Sequence, residues 1–162
     1  MRKFKILFSF LVLQLTNSAV AQLKNENTNC VIDKNKTSKI MEKQHKNVLG
    51  DTLSIASLNP MTGFYRNGYC MTDKNDVGSH VVAAVITEDF LNYTLAKGND
   101  LISPNKNYNF PGLKPGYVWC LCALRWKEAL KAKVAPKVIL EATHIKALKY
   151  ITLEELKKHE NK

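Results

Sequence analysis

The sequence predicts a small α/β or α+β domain: a small mixed sheet carrying one layer of helices, with an N-terminal β-hairpin. Three observations predict it. "HVVAAVI", residues 80–86, is a continuous apolar, partly β-branched run of the kind found in a strand buried on both faces. Two more short apolar runs follow, at 117–121 and 137–143. Each of the first two runs leads into a segment with helical period and its own start or stop signals.

The hairpin is read from "FYRNGYCM", residues 64–71. Asn67-Gly68 there supplies the two positive-φ positions of a type I′ turn between short aromatic strands, which sets Tyr65 opposite Cys70. After strand 80–86, Thr87 caps a helix, and Glu88 and Asp89 sit in its first turn where they complement the dipole. Phe90, Leu91 and Leu95 form its apolar face and Gly98 ends it. "GNDLISPNKNYNFPGLKPG", from Gly98 to Gly116, has no regular period; a loop this long in a compact domain is commonly functional. Tyr108, Phe110 and Leu113 predict that it packs down. Tyr117 to Leu121 reads as a strand, and Cys122 to Lys133 as a helix with Trp126 and Ala129 on its buried side. "KVILEAT", residues 137–143, reads as a buried strand, and Thr152 caps a last amphipathic helix, "LEELKKHE".

The chain opens with the pattern of an export signal. Arg2, Lys3 and Lys5 precede a short apolar stretch from Ile6 to Leu15, and Ala19-Val20-Ala21 supplies a small-residue cleavage site. The apolar stretch is too short for a membrane span. The expected destination is therefore the periplasm or the exterior, with no membrane span after cleavage. Residues 22–46 are polar, with too few large apolar side chains to order themselves, and read as a flexible arm containing Cys30. The globular domain then runs from 47 to 162.

With 24 Lys and Arg against 14 Asp and Glu, the chain is basic. The basic residues are spread out rather than clustered with aromatics, which argues against a nucleic-acid partner.

The chemistry rests on "WCLC". In an extended strand Cys120 and Cys122 share a face, whereas in a helix they diverge. The sequence puts Cys120 at a strand's end and Cys122 at a helix start, where unpaired amides and the dipole favour a thiolate. His144 follows the strand 137–143, so the three converge if the two strands are parallel neighbours. His80, with Asp76 four residues before it, begins its strand and reaches the same rim only if that strand runs antiparallel. Cys70 lies in the hairpin. In an oxidising compartment four cysteines most simply make disulfides, and Cys70 with Cys120 or Cys122 is the better pairing, because a Cys120–Cys122 bridge would be strained. The usual paired C-x-x-C spacing of a metal site is absent.

From Asn47 to about His159 the chain resembles an uncharacterised, mainly bacterial family, domain of unknown function 2237. The resemblance rests on "NPMTGFYRNGYC", "DVGSH", "GNDL", "FPGLKPG", "WCLCALRWKEAL" and "LEATHIKAL". It implies a small single-domain α/β protein with no assigned reaction. It also implies that Cys70, His80, Cys120, Cys122 and His144 are motif residues, together with Arg66, Asp76, Asn99, Asp100, Arg125, Trp126 and Glu141. Ala56 and Ala83 stand where the family pattern carries further cysteines.

Two classes of function follow. One is a Cys/His site that binds zinc or another transition metal, through Cys120, Cys122 and His144 or His80, or that performs thiol redox chemistry. The other is a non-catalytic binding module with structural cysteines. Its long loop would close a pocket lined by Tyr117, Trp119, Arg66 and Arg125, and the arginines would meet an anionic small molecule. A hydrolase built on Cys122 and His144 has only Glu141 as an orienting group. The export reading gives the first prediction: intact-mass analysis of the secreted protein shows Gln22, or its cyclised form, at the amino terminus, and a full-length mass in the membrane fraction contradicts it.

Overall fold

The computed structural model describes residues 45–162. The expected export signal, most of the expected flexible arm and Cys30 lie outside the described residues. His45 and Lys46, assigned to the arm from sequence, belong to the folded part: His45 is buried and Lys46 bridges to Thr52.

Three strands form the sheet in the order β2-β1-β3: β1 is His80–Val85, β2 is Val118–Cys122 and β3 is Lys137–Val138. Both neighbours of β1 run antiparallel to it. The central place of β1 explains its apolar run, since side chains on both of its faces need burial. The register pairs Ala84 with Trp119, Ala83 with Cys120 and His80 with Cys122, with a bulge between His80 and Val82.

Period-two alternation sends these pairs to opposite faces. Ala84 and Trp119 belong to the main core, with Val82, Leu121 and Val138. Over them pack α1 (Glu88–Ala96), α2 (Ala123–Lys131) and α3 (Leu153–Lys158), through Phe90, Leu91, Trp126, Ala129 and Leu156. Burying large side chains of this kind stabilises the fold by about 1.5–3 kcal/mol each. Trp126 also donates its indole N–H to the carbonyl of Pro136 at 3.0 Å, so its one polar atom is satisfied. The caps read from sequence hold. Thr87 accepts from the Phe90 amide, Gly98 takes φ +74° just beyond α1, and Thr152 and Glu155 form a reciprocal capping box. On α1 the buried polar Thr94 takes the place expected of Leu95, which is half exposed.

Ala83 and Cys120 face the other way, into a smaller cluster with Cys70 and Ala142, against which Ala56 and Ile139 pack. Residues 45–79 cover this face without regular strands. Their backbone is tied down by single bonds: Ser54 donates to Glu141, Ala56 to Gly68 and Val48 to Thr143. Buried Thr62 accepts the Cys120 amide on its hydroxyl at 2.8 Å. A disulfide joins Cys70 to Cys120.

Two elements differ from expectation. Residues 64–71 form successive turns and pair with no strand. Positive φ falls on Gly63, Arg66 and Gly68, not on Asn67, and Tyr65 is not paired with Cys70. Gly68 spends its backbone groups on Ala56, Ser57 and Thr62, so non-local bonds replace the local ladder. The expected strand 137–143 stops at Val138 and turns into a 3₁₀ helix at Leu140–Ala142. There the Thr143 hydroxyl accepts the Ala83 amide at 3.2 Å and donates to the Ile139 carbonyl at 2.8 Å, taking over one rung of the ladder.

The disulfide closes a loop with a sequence separation of 50. Chain-entropy reasoning assigns such a loop about 4 kcal/mol, of which about 2–4 is usually realised. Cys70→Ala/Cys120→Ala should therefore lower the guanidinium midpoint by the equivalent of about 2–4 kcal/mol; an unchanged midpoint contradicts the assignment of that covalent link.

Candidate functional site

Because β1 and β2 are antiparallel, the start of one meets the end of the other. His80 and Cys122 are cross-strand partners at that rim. They open onto a cavity of about 720 Å³. Its walls are the 63–66 turn, β2, the start of α2 and the loop 99–110. Arg66, Asn99, Asp100, Cys120 and Arg125 also line it, so seven of the sequence-derived candidates share one space.

The loop is held against the domain. Asp100 accepts the amides of Ile102 and Ser103, Asn105 and Phe110 exchange backbone bonds, and the Leu113 amide donates to Leu101. Gly112 is required there, since a Cβ would lie 2.3 Å from the Ile102 carbonyl oxygen. The Ser103 backbone amide, first among several hydrogen bonds, holds the Asp100 carboxyl below the usual range. Leu113 is buried and Phe110 packs edge-on to Trp119, but Tyr108, expected to pack down, is exposed.

His80 is fixed from behind. Its Nδ1 lies 2.6 Å from Asp76 Oδ1, and its backbone amide donates to Asp76 Oδ2 at 2.8 Å. One buried carboxylate thus sets both the chain and the ring. With Nδ1–H donating to the carboxylate, Nε2 is left as the basic nitrogen. Ser79, at φ +49°, turns the chain tightly enough to bring Asp76 under the imidazole. Phe64 stacks on the ring. Gly78 leaves room for it, because a Cβ there would come within 2.5 Å of His80 Cε1.

Arg66 lies over the Trp119 ring at 4.8 Å. It donates to the Gly63 carbonyl at 2.8 Å and, more weakly, to Tyr108 at 3.4 Å. Its Nε is buried and has no partner. No carboxylate pairs with it among the described residues, and desolvation lowers its affinity for its proton. Arg125, in the first turn of α2, pairs with Glu128 at 3.0 Å.

The sulfur atoms divide. Cys70 and Cys120 are joined and buried, while half-buried Cys122 is a free thiol among the described residues. His144 is not with them. β2 and β3 are parallel to each other but lie on opposite sides of β1, and the His144 amide donates to Val81 on the β3 side. The expected set of Cys120, Cys122 and His144 is therefore not assembled. Among the described residues no three His, Cys, Asp or Glu side chains form a metal-binding cluster. Glu141 is exposed and enters the fold through its backbone carbonyl, and Trp126 is core. Phe64 and Gly78 were missed from sequence; the glycine inside "GSH" was the available signal.

His144 forms a second, separate pair. Its Nε2 lies 3.1 Å from His45 Nδ1, and its Nδ1 accepts the Lys146 amide. Both rings are thereby suited to the neutral form.

Fold and site together define a small α/β domain, stapled by one disulfide, with a thiol, an imidazole and two guanidinium groups around a cavity. The chain belongs to the family described as uncharacterized protein conserved in bacteria, domain of unknown function 2237, which it matches over residues 46–160. No curated protein matches it.

The histidine pair makes a pH prediction. Burial, then repulsion from His45 and Lys146, lowers His144 from 6.5 to about 4, and burial lowers His45 as well. A depressed histidine contributes stability that is present above 6.5 and is lost as pH falls through the folded value. Urea unfolding should show a loss of about 2 kcal/mol between pH 7 and pH 5 from His144. His144→Asn keeps an acceptor for the Lys146 amide and should remove most of that loss; an equally steep decline in the variant contradicts the assignment.

Proposed function

We propose that this is an exported binding module whose cavity takes a small anionic molecule. Arg66 carries the reading. A partly desolvated guanidinium, stacked on Trp119 and paired with no carboxylate among the described residues, is arranged to receive carboxylate or phosphate oxygens. Arg125 adds a second positive group to the same wall. The aromatic and apolar lining supplied by Phe64, Phe110 and Trp119 would shield those charges from water and strengthen them. Export is supported by the Ala19-Val20-Ala21 signal, and by a disulfide of the kind that persists in oxidising compartments. Of the two classes read from the sequence, the binding module suits a Cys120 committed to Cys70. A metal held by Cys120 would need that bond broken. No helix among the described residues is long and apolar enough to cross a membrane.

Calorimetric titration of the mature chain with succinate and with inorganic phosphate tests the reading. One of the two should bind at a single site, and Arg66→Gln should weaken it by about 10–100-fold, the worth of a charged hydrogen bond. Equal affinity in the variant, or no binding of either anion, counts against it.

A further inference from the structure

The cavity holds more than an anion-binding wall. We infer that Cys122 is a nucleophile, with His80 as its general base and Asp76 as the residue that positions His80, acting on the carbonyl carbon of a small acyl compound that bears an anionic group. The substrate class rests on the anion-binding reading; the nucleophile does not.

The geometry comes from independent features. Across the bulge in β1, His80 and Cys122 are cross-strand partners. Both side chains line the same cavity. Asp76 fixes the imidazole tautomer by taking Nδ1–H at 2.6 Å, leaving Nε2 to accept a proton. Gly78 clears the space the ring occupies. Thiol and imidazole are neighbours rather than hydrogen-bonded partners, a contact that such sites often tighten only around substrate. Behind Cys122, α2 begins with no side-chain cap; its Ala123 amide is taken by the Ser79 carbonyl at 3.0 Å, so an amide for the oxygen of a reacting carbonyl would come from Leu124 or Arg125 in the same first turn. Arg66, paired with no carboxylate among the described residues, lines the same cavity and would hold the anionic end. Cys70 and Cys120 are spent in their own bond and buried, which leaves Cys122 as the sulfur that can meet a substrate.

The step balances without an oxidant. His80 Nε2 takes the proton of Cys122 Sγ–H as the sulfur attacks the carbonyl carbon. The C–S bond forms, the bond to the leaving group breaks, and the leaving group takes the proton from His80. Water then attacks the thioester with His80 again accepting a proton. The C–S bond breaks, the carboxylic acid departs and the thiol is restored.

The test uses the full mature chain with Cys30→Ser, and two activated esters: the para-nitrophenyl monoester of succinate, which is anionic, and para-nitrophenyl acetate, which is neutral. Rapid mixing should show a burst of nitrophenol, and peptide mapping should place the acyl group on Cys122. His80→Gln should slow acylation by both esters by about 100-fold or more, the usual share of a general base. Gly78→Ala changes no functional group but displaces the ring, and should slow both esters too. Asp76→Asn should move the pH profile of acylation rather than only its height. Melting curves for each variant separate these effects from unfolding. Arg66→Gln should lower the ratio of anionic-ester to neutral-ester acylation rates by about 10-fold or more, so failure of the anion reading shows as an unchanged ratio in that variant, while the Cys122 and His80 results decide the nucleophile. The proposal is overturned if Cys122 is acylated at the rate of a free thiol, if His80→Gln and Gly78→Ala leave the rate unchanged, or if the label lies on Cys70, Cys120 or a lysine.

Discussion

The antiparallel register of β1 against β2 governs the rest of the structure. Pairing Ala83 with Cys120 sends Cys120 away from the helices and towards Cys70, where the disulfide forms. The neighbouring pair, Ala84 with Trp119, points into the main core, and Trp119 in turn carries Arg66 on its face. Two residues beyond Cys120, the bulge between His80 and Val82 shifts the pairing by one, so Cys122 meets His80 at the mouth of the cavity. A one-residue slip would exchange the two faces, burying Cys122 and removing Trp119 from the core. Staple, core and cavity are therefore three consequences of one alignment.

Much of this was legible in the sequence because local physics agreed with the global result. The unbroken apolar run of β1 announced a central strand, and Thr87 and Thr152 marked helix starts through side-chain oxygens that serve adjacent amides. The candidate cavity was legible in parts. His80, Asp76, Cys122, Arg66 and Arg125 were all named, yet the grouping was wrong for His144. Its position depends on strand order, which periodicity does not encode. The hairpin failed for a related reason. Asn67-Gly68 is a strong local signal, but Gly68 is bonded to residues 56–62 and Cys70 is tied to β2, and those distant constraints decide the backbone.

Family resemblance gains a physical meaning here. Ala56 and Ala83, the two positions at which the resemblance implies further cysteines in relatives, both pack in the small cluster around Cys70 and Cys120. In relatives with that pattern, sulfur would be concentrated at the same place. In this chain the cluster holds one bonded pair among small apolar side chains and Ile139, which suits a buried staple more than a reactive centre. The free thiol of the described residues, Cys122, lies outside that cluster.

The Thr62 hydroxyl that accepts the Cys120 amide has a consequence for how molecules meet one another. β2 is an outer strand, and an outer strand with vacant amides is a template on which a second chain can add. Thr62 occupies that amide, and the 63–66 turn lies alongside the cavity wall next to it. On the far side, β3 is only two residues long. The chain end at His159 and Asn161 takes both backbone groups of Val138, in a parallel bridge at Glu160. At these positions a visiting strand would have to displace a threonine or the carboxyl-terminal segment before it could pair. A second chain extending this small sheet would therefore meet one occupied amide on the β2 flank and an already paired residue on the β3 flank.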